Sequence, residues 1–140
     1  MTLKEKEIIV TQTDLSRLKA SIERLSAYDR RQQGHLAELE AELGRAKTIA
    51  AEDVPGDVVT MNSTVRLKDL ASGEESIYTL VYPNEADAAN ARISVLAPIG
   101  MALLGDRVGS EIACKVPSGE RRLRVEEILF QPEAAGFFKL

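Results

Sequence analysis

The side chains that could carry chemistry are few in this chain and lie far apart in the sequence. The 140 residues include one histidine, His35, and one cysteine, Cys114. His35 stands at the start of a helical pattern and Cys114 belongs to a strand pattern. We do not expect them to share a metal ion, which needs several ligands close together. We interpret His35 as a polar surface residue and Cys114 as a small buried hydrophobe. No catalytic residue, metal or cofactor is predicted, so we expect a protein that is not an enzyme.

A short charged run, Asp29-Arg30-Arg31, lies in a polar stretch between two helical patterns. Asp29 supplies one carboxylate, whereas a divalent metal ion is usually held by several oxygen ligands. Two arginines follow it directly, and their charge opposes the binding of a cation. We therefore predict that this tip does not hold a metal ion.

Residues 92–112 combine many turn signals with an absence of reactive side chains. Pro98 suits the first turn of a helix, and Gly105 suits the left-handed residue that follows one. Gly100 allows another backbone to come close, and Met101 is expected to face outward as an adaptable contact. A compact apolar loop of this kind predicts a surface for a protein partner. The alternative is that the loop is only the core helix of a small sheet, with Ile99, Ala102 and Leu103 facing that sheet. The candidate partner-contact residues are Ala97, Pro98, Ile99, Gly100 and Met101.

The elements that position these residues divide near Pro55-Gly56. Before this point, two apolar stripes with helical spacing flank the polar run, which predicts a short antiparallel helical hairpin with a coiled-coil seam. Thr13 or Asp14 is expected to cap the first helix. The alternative is that the two helices pack separately on the rest of the chain. The stripes are Leu15, Leu18, Ile22 and Leu25, then Leu36, Leu39, Leu43, Ala46 and Ala50.

After Pro55-Gly56 the pattern indicates about five short antiparallel strands and one short helix. The alternation in the last strand slips at Glu126-Glu127, which predicts a β-bulge. A sheet covered by a single helix predicts an α+β fold. The predicted strand segments are residues 58–60 and 63–67, 76–82, 92–97, 111–116 and 121–130.

Composition narrows the class of partner. The net charge is −4, which disfavours tight binding through a nucleic-acid backbone, because such binding requires many basic groups. No apolar run reaches the roughly 20 residues of a membrane span. The first ten residues lack the apolar centre of a signal peptide, and a single cysteine cannot form an internal disulfide. These features favour a cytoplasmic protein without a membrane or sequence-specific nucleic-acid contact, and we expect a monomer.

Several separate runs of the chain resemble the Gre transcription-factor family, and within it the Rnk type. The likeness is close over about residues 54–136, whereas the N-terminal hairpin is similar only in architecture. The matching runs are residues 59–63 (VTMNS), 79–83 (TLVYP), 97–100 (APIG), 102–105 (ALLG) and 131–136 (QPEAAG).

This resemblance implies an N-terminal coiled coil, here residues 1–53, and an FKBP-like C-terminal domain, here residues 54–140. It also implies docking on RNA polymerase near the secondary channel. In the cleavage factors an acidic pair at the coiled-coil tip helps to hold a second Mg²⁺. Here Asp29 is followed by two arginines and the arm is short. We therefore expect a regulator that binds polymerase and competes with Gre-type factors without stimulating cleavage. A prolyl isomerase or a general interaction module, including one that forms dimers, remains the alternative.

Overall fold

The computed structural model describes residues 8–28, 31, 33–117 and 119–137. Helix α1 runs from Gln12 to Tyr28 and helix α2 from Gln33 to Arg45, as the two stripes predicted. The 17 residues of α1 correspond to a length of about 26 Å, so the arm is short. The apolar residues of the hairpin that are buried are Leu18, Ile22, Leu36, Leu39 and Leu43.

A small parallel sheet closes the base of the hairpin and was not predicted. Strand β1, Ile9–Thr11, precedes α1, and strand β2, Lys47–Ile49, follows α2; the two pair in parallel. The prediction that the second helix reaches Ala50 was therefore wrong. The β-branched side chains of Thr48 and Ile49 favour an extended backbone over a helical one.

The rest of the chain forms a five-stranded sheet and one short helix, so the predicted α+β fold is confirmed. The strand order is β5-β4-β3-β7-β6. One pair departs from the antiparallel prediction, because β4 and β5 run in parallel. Two short 3₁₀ turns, at Pro83–Glu85 and Ala88–Asn90, reverse the chain between these two strands. The bounds are Thr64–Asp69 (β3), Glu75–Val81 (β4), Arg92–Ser94 (β5), Pro98–Leu103 (α3), Glu111–Val116 (β6) and Gly119–Phe130 (β7).

Strand β7 contains the predicted bulge and a second one. Arg66 of β3 is opposite Glu127, whereas the next residue, Leu67, is opposite Val125, so Glu126 is the extra residue. A second shift in the pairing of β3 makes Leu129 extra. Bulges increase the local twist of a strand, and β7 lies between β3 and β6 and pairs with both.

Residues 58–60 were predicted as a strand and are instead a buried loop. Val58 forms only an isolated bridge with Arg107. The side-chain amide of Gln131 donates to the carbonyl oxygens of Pro55 and Val58, at 2.8 Å each. These hydrogen bonds satisfy backbone groups that a sheet would otherwise pair. The β-branched residues of this segment are therefore explained by its burial and not by pairing in a strand.

One apolar core runs through both parts of the chain. Leu18 and Leu39 of the hairpin belong to the same cluster of buried side chains as Leu67 of β3 and Leu103 of α3. Within the described residues, no helix has the length and apolar character needed to cross a membrane.

Candidate partner-binding surface

The candidate surface is the α3 segment, which comprises residues 94–105. Ala97 is extended, with φ −70° and ψ 152°, and Pro98 occupies the first turn of α3. Pro98 lacks a backbone N–H, and that group would have no helical partner at this position. The Met101 N–H donates to the carbonyl oxygen of Ala97 at 2.8 Å. The predicted entry into the helix is therefore confirmed.

Two glycines fix the α3 segment against its neighbours. A Cβ atom at Gly100 would lie 2.0 Å from the carbonyl oxygen of Ser94, so only glycine fits there. Gly105 has a φ of +80°, and a Cβ atom there would lie 2.6 Å from the Cβ of Ile8. The carbonyl oxygen of Gly105 also accepts a hydrogen bond from Ile9. Backbone packing therefore holds the segment rigidly at both ends.

The accessible part of the α3 segment is its first corner. Pro98 is exposed, and Ala97 and Ile99 are half-buried. The prediction that Met101 faces outward was wrong: the residue is only 7% exposed and belongs to the core. The helix begins at Pro98, so Met101 lies one turn in, with Gly100, Ala102 and Leu103, on the packed side.

A groove of about 440 Å³ runs beside this corner, between α2 on one side and α3 and β6 on the other. Pro98 and Met101 line one wall, and Glu38 and Glu42 of α2 line the other. His35 ties the walls together, because its Nδ1 lies 2.9 Å from the carbonyl oxygen of Leu96 and donates a hydrogen bond to it. The lone histidine is exposed, as predicted, and it connects the hairpin to the α3 segment.

The second predicted contact region is the hairpin tip. Asp29 and Arg30 lie outside the described residues, so the character of the tip stays a prediction from sequence. Arg31 is described and is exposed. Cys114 is buried in β6, as predicted, and burial raises the pKa of its thiol.

Asp14 is the functional group that sequence reasoning misinterpreted. It was expected to cap α1, but the backbone N–H of Asp14 itself donates to the hydroxyl of Thr11, at 3.1 Å. The Asp14 carboxylate is buried. It accepts hydrogen bonds from the Met61 N–H at 3.0 Å and from the Tyr82 hydroxyl at 3.4 Å. Burial raises the pKa of Asp14 to about 6. Asp14 thus links the hairpin to the sheet.

Comparison with protein families gives two matches along the chain. Residues 54–130 match the family described as "Transcription elongation factor, GreA/GreB, C-term", and residues 6–48 match "Rnk N-terminus". The first match spans more than half of the chain and contains the whole α3 segment.

Individual relatives agree with these matches. The chain is 48% identical over 103 residues to "Regulator of nucleoside diphosphate kinase" of Escherichia coli K12, an alignment that covers 73% of this chain and 76% of the relative. It is 45% identical over 96 residues to "Transcription elongation factor GreA" of Caldanaerobacter subterraneus, covering 69% and 61%.

A solved structure extends the likeness to the fold. The GreA/GreB protein from Nitrosomonas europaea superposes with a TM-score of 0.73 at 42% identity, covering 88% of this chain and 99% of that protein. The likeness therefore extends over most of the chain, and the GreA/GreB match includes the part of the sheet domain that contains the α3 segment. This chain belongs to the GreA/GreB family of transcription elongation factors, with an N-terminal part of the Rnk type.

Proposed function

We propose that this protein is a non-catalytic transcription regulator that binds bacterial RNA polymerase near its secondary channel and competes with Gre-type cleavage factors. Membership of the GreA/GreB family supports a role in transcription. In this proposal residues 54–140 form the FKBP-like docking domain and residues 1–53 form the arm. The site of action would then be the cytoplasm.

The observation that carries this proposal is the accessible corner of the α3 segment. Pro98 is exposed at the start of a helix whose own backbone is wedged against Ser94 by Gly100. A rigid apolar corner loses little conformational freedom when it is covered by a partner. Ala97, Pro98 and Ile99 are the proposed contacts, while the buried Gly100 and Met101 support them from behind.

The hairpin tip supports a non-catalytic role. The sequence there offers one carboxylate, Asp29, followed by Arg30 and Arg31. A second active-site Mg²⁺ would need several oxygen ligands, and two guanidinium groups oppose its approach. The link to nucleoside diphosphate kinase in the name of the E. coli relative would then be indirect, through transcription.

Prolyl isomerase activity is a weaker alternative for this chain. Such chemistry uses an apolar pocket lined by aromatic side chains. Among the described residues, no Phe, Tyr or Trp side chain lines the groove beside α3, whereas Glu38 and Glu42 do. An isomerisation assay with a proline-containing peptide tests this alternative directly.

The test is a binding assay between purified core RNA polymerase and the Pro98→Asp variant. Because Pro98 is exposed and aspartate suits the first turn of a helix, the variant is expected to fold normally. Its binding should weaken at least about tenfold, since an acidic group replaces an apolar contact at the interface centre. Ile99 is half-buried, so a charge at that position would confound binding with stability.

The matched control is Ile77→Asp, because Ile77 is an exposed apolar residue of β4 that lies outside the α3 segment. This control should bind polymerase as well as the unmodified protein does. Failure of the unmodified protein to bind at micromolar concentration would contradict the proposal. Equal weakening by both variants would show that the contact lies elsewhere. Strong stimulation of cleavage in backtracked complexes would contradict the non-catalytic role.

A further inference from the structure

A second concave surface lies away from the α3 segment, where α1 meets the sheet. It is an open groove of about 860 Å³, lined by α1 on one side and by β3, β4 and the start of β5 on the other. Three arginines point to its character: Arg17 and Arg24 of α1, and Arg92, the first residue of β5. We refer to this surface as the arginine groove.

Two arginines of this groove, Arg24 and Arg92, differ from six other arginines that the structure describes. Each of those six has a carboxylate within 3.5 Å, often from a neighbouring strand. By contrast, neither Arg24 nor Arg92 forms an ion pair with any residue that the structure describes. The arginines with a carboxylate partner are Arg45, Arg66, Arg107, Arg121, Arg122 and Arg124.

The positive charge of the groove is local, because the protein as a whole is acidic. One carboxylate, that of Glu85, lines the groove together with the three guanidinium groups, so the lining carries a net charge of +2. The whole chain carries −4. Arg17 lies near the Tyr82 hydroxyl and the Asp14 carboxylate, so its charge is partly offset. Arg24 and Arg92 have no ion-pair partner among the described residues, and two such guanidinium groups in a concave site favour an anionic ligand.

The placement of the cations favours carboxylates on an extended chain. Arg24 lies on the α1 wall of the groove, whereas Arg92, at the start of β5, lies on the opposite wall. Side chains of an extended peptide alternate between two sides, so glutamates three residues apart present carboxylates to both walls. Phe130, which also lines the groove and is half-buried, adds an apolar contact for the backbone or an aliphatic side chain.

The lining lacks two features that are common in phosphate sites. Arginine pairs with phosphate as well as with carboxylate, but many phosphate sites also use glycine-rich backbone nests or the first N–H groups of a helix. Among the described residues, no glycine lines the groove, and the first residue of α1 in the lining is Arg17, beyond the first turn of the helix. Binding a polynucleotide would need more positive charges than this groove offers, on a protein of opposite overall sign.

We propose that the arginine groove binds an acidic segment of a protein partner, with Arg24 and Arg92 pairing with its carboxylates. The groove is distinct from the α3 segment, so this interaction does not depend on the proposed docking on polymerase. It would give the protein a second contact surface. Because two exposed ion pairs contribute modestly, the groove should select for acidic sequence rather than supply most of the affinity.

The experiment measures fluorescence anisotropy of a labelled peptide of about twelve residues with glutamate at every third position. The probe is titrated with the full chain at low ionic strength, and a peptide with glutamine in place of glutamate is the neutral comparison. The test variant is Arg24→Ala with Arg92→Ala. The matched control is Arg107→Ala with Arg122→Ala, which removes the same charge from two exposed arginines outside the groove.

We expect saturable binding of the acidic peptide, weak binding of the neutral one, and a loss of about tenfold in the groove variant. The control should change affinity by less than about twofold. Absence of saturable binding, or an equal loss in both variants, would overturn the proposal. Tighter, groove-dependent binding of ATP or a short oligouridylate would overturn it in favour of a phosphate site. The groove variant should still bind polymerase, which separates this proposal from the previous one.

Discussion

At the scale of single residues, Asp14 has the largest effect on how the molecule is assembled. It belongs to α1, but its carboxylate accepts a hydrogen bond from Met61 and lies beside Tyr82, in the other half of the chain. Burial raises its pKa to about 6; the Met61 hydrogen bond and Arg17 oppose this rise, whereas Glu133 adds to it. A buried carboxylate at such a junction makes the stability of the molecule depend on pH.

The Asp14→Asn variant should remove a defined part of that pH dependence. Because the pKa of Asp14 is higher in the folded protein, at about 6, than its ordinary value of 3.8, folding favours the protonated form. The stability that this group contributes is fully present below about pH 3.8 and is lost as the pH rises through about 6. Asparagine keeps an oxygen for the Met61 N–H and cannot ionise.

The measurement is the free energy of unfolding in urea at pH 4.5 and pH 8 for both proteins. The quantity compared is the unfolding free energy of the variant minus that of the unmodified protein. This difference should be about 2 kcal/mol larger at pH 8 than at pH 4.5. Hydrogen bonds lower the pKa values of Asp69 and Glu126. Both groups titrate in both proteins, so their contributions to the pH dependence cancel in the difference. A difference that is independent of pH would show that Asp14 is not buried in this way.

At the scale of elements, the junction between β1 and α1 decides how the hairpin leaves the sheet. Thr11 ends β1, is fully buried, and accepts the backbone N–H of Asp14 through its hydroxyl. The sequence pattern suggested Thr13 or Asp14 for this role, because either is a good capping residue. Thr11 takes the capping role because β1 pairs with β2 as far as this residue, so the helix can begin only after it.

The Thr11→Val variant tests this assignment of the cap. Valine preserves the shape and β-branching of threonine but leaves the buried N–H of Asp14 without its acceptor. Chemical unfolding should show a loss of about 1–2 kcal/mol in stability. Thr13→Val, in the first turn of α1 and half-buried, should change stability by less than about 0.5 kcal/mol. If Thr13→Val were the more damaging substitution, the helix would begin later than described.

At the scale of the whole molecule, the hairpin and the sheet share one core and several hydrogen bonds. Besides the bonds to Asp14, Ile9 donates to the carbonyl oxygen of Gly105, and His35 donates to that of Leu96. The α3 segment therefore receives support from both parts of the chain. A small protein with a continuous core is expected to unfold in one cooperative transition.

Leu18→Ala should reveal this cooperativity. Leu18 of α1 is fully buried in the shared core, so its truncation should cost about 2–5 kcal/mol. Native-state hydrogen exchange should then show an equal loss of protection in α1 and in the strands β3 and β7. Leu129→Ala, at a site that is 46% exposed, is the control and should have little effect. Loss of protection confined to α1 would mean that the hairpin unfolds on its own.

The sequence alone determined the local features of this protein. Helical spacing placed α1 and α2, turn chemistry placed Pro98 and Gly105 at the ends of α3, and a broken alternation located the bulge at Glu126. Each of these depends on residues that are close together along the chain, so that spacing and backbone preference suffice to predict them. The family likeness rested on such local runs as well.

Only the tertiary structure decided the features that depend on distant partners. Met101 was expected outside and is buried, because the face that a short helix presents is set by what packs on it. Asp14 became a link rather than a cap because Met61 and Tyr82 approach it from the other half of the chain. Arg24 and Arg92 became a candidate site because the fold brings them to one groove without a carboxylate partner. The spacing of residues along the chain is enough to predict local backbone structure. Burial and charge pairing depend on which distant residues the folded chain brings together.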